Sequence, residues 1–219
     1  MVGTAEELLA DIRAAATADP GDNPFVAAVA HRRAPLAAIA ALAAEERVTI
    51  ASDRRSFLIL AGRADEPDAV EFFTALAQGE NLVLPTVAPL AAAAGMDAAA
   101  LAAYEPRAGC QAYGAFVAWL ALNADPAAVA LALVANFAAW GGYCATLATG
   151  LREQYGFTDE ACAFLDFFAT PSPELEAQAL RAAQAALDDG RPPADACRHG
   201  RLLHEYETTF WRTLAEIPG

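Results

Sequence analysis

The chain has 219 residues, 56% of them hydrophobic, with a formal net charge of −14 and a pI near 4.5. That length suits one large domain or two small ones, with ample material for a core. The acidic balance excludes the basic footprint that nucleic acid requires and disfavours anionic membrane surfaces. All 14 basic residues are arginine, so a Schiff-base lysine is excluded as well.

In chain order the predicted elements are all helices. Thr4-Ala5-Glu6-Glu7 fits a capping box and opens a first helix that stops before Asp19-Pro20-Gly21. Asn23-Pro24 caps a short helix to about His31, and Pro35 starts a long one to about Gly62. Glu66-Pro67 opens a fourth through about Ala77. Gly79 to Pro89 is expected to be irregular, with short helices near Leu90–Ala94 and Asp97–Tyr104. Arg107 to Leu122 is apolar nearly all round, which predicts burial on most sides.

Asp125-Pro126 caps a helix without charge as far as Leu151. It could span a membrane by length, but alanine, Asn136, Gly141, Gly142 and two threonines favour a buried central helix. Thr158 caps a helix to Phe168, and Ser172-Pro173-Glu174 an N-capped helix to Asp189. A turn from Asp188 to Pro193 leads to the last helix, from about Ala194 to Ile217. No segment alternates cleanly and no linker divides the chain, so the expectation is one all-α domain over 1–219. Cys110, Cys144, Cys162 and Cys197 form no C-x-x-C, and no signal peptide precedes the first helix. Reduced cysteines and a cytoplasmic location follow as expectations.

The chemistry concentrates in misplaced acids. On the last helix Leu203, Tyr206, Phe210, Leu214 and Ile217 form an apolar stripe, and Glu207 lies inside it. His204, Thr208, Arg212 and Glu216 take the other face. On the long third helix the stripe Leu36, Ile39, Leu42, Ile50, Phe57 and Leu60 is interrupted by Glu46 and Asp53. Such acids either pair at a helix edge, here with Arg54 or Arg55, or line a shared polar cavity. A carboxylate aimed at a core has its charged form penalised, a common route to an acid or base that works near neutral pH. Whether Asp53 joins the cavity stays open.

The string Tyr206-Glu207-Thr208-Thr209-Phe210-Trp211 resembles the Y-E-x-x-F-W of the TenA (thiaminase II) branch of the TenA/PqqC superfamily. Asn23-Pro24-Phe25-Val26, Ala112-Tyr113 and Ser172-Pro173-Glu174-Leu175 resemble further family motifs in the same order, over about residues 20 to 215. The resemblance implies a heme-oxygenase-like helical bundle with a central cavity, and a homo-oligomer, dimer or tetramer. It places Glu46 where the family has an aspartate that holds an aminopyrimidine. Trp140 matches a tryptophan two residues after the thiaminase cysteine, which puts Ala138 at the nucleophile position. Cys144 is six residues further, about 9 Å along the axis and rotated away. Thr49 and Thr170 stand where the family has tyrosines.

Ordinary thiaminase chemistry is therefore not expected. The expected function is that of a diverged enzyme on a small flat or heterocyclic substrate, by hydrolysis, rearrangement or ring closure. Glu207 and Glu46 would be acid and base, Tyr113 the orienting donor, and Trp140 and Phe210 the wall, with Thr49, Thr170 and Ala138 also lining the site. No cofactor and no metal are expected. A non-catalytic small-molecule-binding homologue is the alternative. An atypical di-iron oxidase of this fold is a further one, set against a late helix without histidine and only three histidines in all. His31 is expected at the surface, His199 and His204 do not share a helix face, and His204 with Glu207 could supply only part of a metal site. A regulator of transcription, a label often given to this family, is opposed by the charge balance and the missing helix-turn-helix.

Overall fold

The computed structural model describes residues 3–15 and 23–218. Eleven α-helices, α1 (Ala5–Ala15), α2 (Pro24–Ala30), α3 (Leu36–Arg63), α4 (Pro67–Val83), α5 (Val87–Ala93), α6 (Ala98–Ala102), α7 (Ala108–Asn123), α8 (Pro126–Tyr155), α9 (Asp159–Ala169), α10 (Pro173–Asp188) and α11 (Ala196–Ala215), occur among these residues, and no strand does. The all-α class expected from composition is what the structure shows.

The helix starts follow their sequence signals. The Thr4 amide donates to the Glu7 carboxylate at 2.9 Å, and the Glu7 amide donates back to the Thr4 hydroxyl at 3.2 Å. Asn23, Asp97, Asp125 and Thr158 each accept an amide of the first turn through a side-chain oxygen. At its far end α8 stops at Gly156, where a φ of 73° returns the Gly156 and Phe157 amides to Arg152 and Leu151 carbonyls. The Asp19-Pro20-Gly21 stop lies outside the described residues.

Three expectations are corrected. The segment 79–89 is not irregular: α4 runs to Val83, and a 3-10 turn, Leu84–Thr86, passes directly into α5. Gly79 suggested a break, but it stays helical under the Phe167 ring, where a β-carbon would be 3.4 Å from Cζ. Ser172 precedes Pro173 as predicted, yet its side chain makes no capping bond. Helix α7 is not buried on most sides, because Trp119 is 48% and Leu122 65% exposed.

The two long helices organise the packing. Helix α3 lies against α4, α5 and α7, and α8 lies against α2, α9, α10 and α11. Helix α11 fits between α7 and α8. By length and composition α8 could cross a membrane, but 61% of its apolar window is buried inside the molecule.

Side chains gather into two apolar clusters. The first holds Phe25, Leu42, Ile50, Leu147, Phe164, Phe210 and Trp211. The second holds Ile12, Phe57, Leu60, Phe73, Leu131 and Leu203. Helices α3, α4, α7, α8 and α11 carry residues of both clusters, and on α3, α8 and α11 a polar residue stands at the crossing. On α3 Asp53 stands between Ile50 and Phe57, and on α11 Glu207 stands between Leu203 and Phe210. On α8 Asn136 lies one residue before Phe137, of the second cluster, and three before Ala139, of the first. The seam between the clusters is where the acids meet.

Candidate functional site

Glu207 is 4% exposed. Its Oε1 accepts the Trp211 indole N–H at 3.0 Å, one helical turn along α11. Its Oε2 accepts a short hydrogen bond from the Asn136 amide of α8. Burial pushes the Glu207 carboxyl up, and the Trp211 and Asn136 donors pull it back.

Glu46 is as buried, at 5% exposed, but its surroundings differ. Burial pushes its carboxyl well above the usual range, and the negative fields of Asp53, Glu207 and Glu45 push it further. No donor among the described residues offsets this. Neither Glu46 nor Asp53 pairs with Arg54 or Arg55 among the described residues. The two carboxyls thus differ in kind. Burial and like charge disfavour the ionised form of Glu46, while Glu207 is furnished with two donors suited to a carboxylate.

Tyr113 of α7 stands in the fields of Asp53, Glu207, Glu46 and Glu80, which together with burial keep its phenol protonated. Tyr113, Asn136 and Glu80 keep part of their surface open to water although they stand deep among buried side chains. They stand at the seam beside Glu46, Asp53 and Glu207. Trp140 is half-buried beside it, with ring centroids 5.2 Å from Trp211 and 6.4 Å from Phe210. Phe210 is 4% exposed and closes the same aromatic group. Thr49 lies one turn before Asp53 on α3, buried, with its hydroxyl unpaired.

Two residues proposed for the lining are placed elsewhere. Thr170 is exposed and its hydroxyl donates to the Asp166 carbonyl of its own helix. Ala138 is exposed on the outer face of α8. The α8 side chain that meets Glu207 is Asn136, two residues earlier. Cys144 is also not rotated away from the site. It lies on the face of Trp140, fully buried and within the fields of Glu46 and Glu207. Burial pushes its thiol well up, so it is a protonated and unreactive sulfur.

Sequence reasoning missed three participants. Asn136 was legible as the polar residue of a charge-free helix, and Trp211 as the residue four after Glu207. Glu80 gave no signal, because Gly79 suggested that the helix had ended. Glu80 buries its Oε2 without a partner, and burial with the fields of Asp53 and Glu46 pushes its carboxyl well up. No group of three or more His, Cys, Asp or Glu side chains among the described residues is arranged to hold a metal ion. Two open clefts, of about 470 and 440 Å³, flank α5 and α6 away from the seam.

No family model and no curated protein matches the chain. Solved structures do. A protein of Silicibacter sp. TM1040 described as a TenA family transcription regulator superposes with a TM-score of 0.74 and 17% identity, over 99% of this chain and 98% of that one. A TenA homologue of P. horikoshii OT3 superposes with a TM-score of 0.64 and 13% identity, over 96% of this chain and 93% of that one. At such identities the likeness is one of fold, and over nearly its whole length this chain has the fold of the TenA proteins.

Proposed function

We propose that the chain is a diverged TenA-like enzyme. It acts on a small flat or heterocyclic substrate by carboxylate acid/base chemistry, without a cysteine adduct and without a metal. The observation that carries this is the unequal pair of buried carboxyls, Glu46 without donors and Glu207 with two. In this reading protonated Glu46 is the general acid and Glu207 the base, because environments that push two carboxyls apart assign their roles. Tyr113 donates to the substrate, and Trp140 supplies a ring for it to stack on. The reaction is hydrolysis, rearrangement or ring closure.

The test joins a thermal-shift screen of small heterocycles to turnover of the hits. Glu207→Gln is expected to lower turnover about 100- to 10,000-fold, the usual share of an acid or base. The fold should survive. The oxygen of the new carboxamide can keep the Trp211 N–H, and the Asn136 amide can rotate to offer its oxygen to the new NH₂. Glu46→Gln should lower turnover as well, without lowering the melting temperature. If both variants keep full activity on the wild-type substrate, the carboxylate mechanism is wrong.

A binding protein without turnover is the second reading. It is favoured by the occupation of both Glu207 oxygens by protein donors, which leaves that carboxylate committed to structure. Hits that bind the wild type but are never converted would select it. The regulator description of the Silicibacter protein carries less weight here, since a net charge of −14 repels a phosphate backbone. A homo-oligomer and a cytoplasmic location belong to the same proposal. The exposed apolar side chains Trp119, Leu122 and Leu82 supply surface for self-association.

A further inference from the structure

The cleft of about 440 Å³ combines an apolar surface with one guanidinium. Buried Ala40 and Ala41 of α3 form its floor, and half-buried Met96 and Ile217 its walls. Tyr104 and Arg107 supply its polar end. No acid among the described residues lines it, although the chain has 28 acidic residues against 14 arginines. The other cleft differs, with Glu160 and no cation in its lining. A volume of 440 Å³ lies within the range of small-molecule sites, about 300–1,000 Å³.

Arg107 is fixed from below. Its backbone N–H donates to Glu45 Oε1 at 2.8 Å, and its Nη1 donates to the Tyr104 hydroxyl. That hydroxyl donates in turn to Glu45 Oε1 at 2.7 Å. The guanidinium carbon lies 5.6 Å from the centre of the Tyr104 ring. Glu45 itself is fully buried, and its Oε2 accepts the Gln111 amide. The inner side of this network is therefore paired throughout.

The outer side is not. A guanidinium carries five N–H donors, and among the described residues only Nη1 of Arg107 has an acceptor. The approach of Nη1 to Glu45, at 3.8 Å, is an ion pair too long for a hydrogen bond. The Nε–Nη2 edge makes no bond, in a side chain that is 40% exposed. That edge is the one that takes a carboxylate through two parallel hydrogen bonds.

We propose that this cleft binds a small carboxylate with an apolar body, its two oxygens on the Nε–Nη2 edge of Arg107 and its hydrocarbon against Ala40, Ala41 and Met96. The chemistry separates this class from its rivals. A cation would meet Arg107 and no acid. A bare anion would be held by the guanidinium alone and leave the apolar floor in water. A carboxylate with a hydrocarbon body uses both, and each methylene it buries raises affinity about fourfold. The occupant would join α3, the α5–α6 turn, the α6–α7 loop and the segment after α11, so binding stabilises the folded chain. The cleft lies apart from the Glu46–Glu207 seam, and the proposal holds whether or not that pair is catalytic.

The experiment is calorimetric titration of the whole protein with hexanoate, acetate and 1-aminohexane, beside melting curves with each. Hexanoate is expected to bind at least tenfold more tightly than the other two and to raise the melting temperature. Arg107→Lys keeps a cation beside Glu45 but has no fork, and should weaken hexanoate at least tenfold. Ala37→Phe leaves the Glu45 network whole. It adds a ring at an exposed position of the cleft's lining, and should weaken hexanoate as much by filling the space. Glu207→Gln should bind hexanoate as the wild type does. No binding of hexanoate, or equal binding of acetate or 1-aminohexane, would overturn the proposal. So would a hexanoate affinity that survives both cleft substitutions, or one that is lost in Glu207→Gln. The reading of the seam fails separately: there Glu207→Gln and Glu46→Gln keep full turnover, whatever hexanoate does.

Discussion

Replacing Trp211 by alanine is expected to destabilise the protein by about 3–5 kcal/mol, the usual loss for a buried Trp or Phe. A typical domain is stable by only about 5–15 kcal/mol, so this is a third or more of the total. Trp211 is 3% exposed and central to an aromatic group. It stacks on Phe25 at 5.9 Å, and the rings of Trp140, Tyr143 and Phe210 lie 5.1 to 5.7 Å away. It thereby ties α2 and α8 to α11. For a chain of this size the melting temperature should fall by about 10 °C, at 2–4 °C per kcal/mol.

The second effect of that substitution is electrostatic. Without the indole N–H, Glu207 keeps only the Asn136 donor, so its carboxyl moves further up. Trp211→Phe separates the two effects. It keeps most of the packed area and removes only the donor, so it should cost less than half as much. It should still shift the alkaline-favouring limb of the pH–activity profile upward. A Trp211→Ala protein that melts within two or three degrees of the wild type would refute the anchoring role.

Much of this was legible in the sequence because helices announce themselves locally. Thr4-Ala5-Glu6-Glu7, Asn23-Pro24 and Asp125-Pro126 each specify a cap through atoms three residues apart, and the structure forms those caps. Glu207 and Glu46 were visible for a similar reason, since a 3.6-residue period places them among apolar neighbours on their own helices. What brings α3, α4, α7, α8 and α11 to one seam is tertiary, and no local signal encodes it. Asn136 therefore meets its partner Glu207, and Glu80 its acidic neighbours, only in the folded chain. The placement of Ala138 followed from a match at Trp140. A two-residue offset on a helix turns a side chain by about 200°, so Ala138 faces outward where Asn136 faces Glu207.

Glu45 and Glu46 are adjacent, both are buried, and substitutions at them are expected to act in opposite directions. Glu45 is fully buried and fully satisfied. Its Oε1 accepts the Tyr104 hydroxyl at 2.7 Å and the Arg107 backbone N–H at 2.8 Å, and its Oε2 accepts the Gln111 amide at 2.6 Å. The Arg107 guanidinium adds an ion pair at 3.8 Å and a hydrogen bond to the Tyr104 hydroxyl. This carboxylate fastens the loop between α6 and α7 to α3, and so sets where Tyr113 begins its approach to the seam. Glu45→Ala removes the one acceptor that all these donors share. Breaking a buried charged network from one side costs about 3–5 kcal/mol, because the groups left behind are desolvated and unpaired. Glu46 has no such donors and sits among like charges, so Glu46→Gln removes repulsion and orphans nothing. Its carboxyl is raised in the folded state, so the wild type loses stability as pH rises above about 4, the value for a free carboxyl. The Glu46→Gln protein should be flatter over that range and more stable at pH 8. Urea denaturation of both variants at pH 5 and pH 8 decides the matter. Loss of stability at both pH values is expected for Glu45→Ala, and a gain confined to the higher pH for Glu46→Gln. Equal losses in the two variants would show Glu46 to be another structural anchor, and the acid of the proposed pair would have to be sought elsewhere.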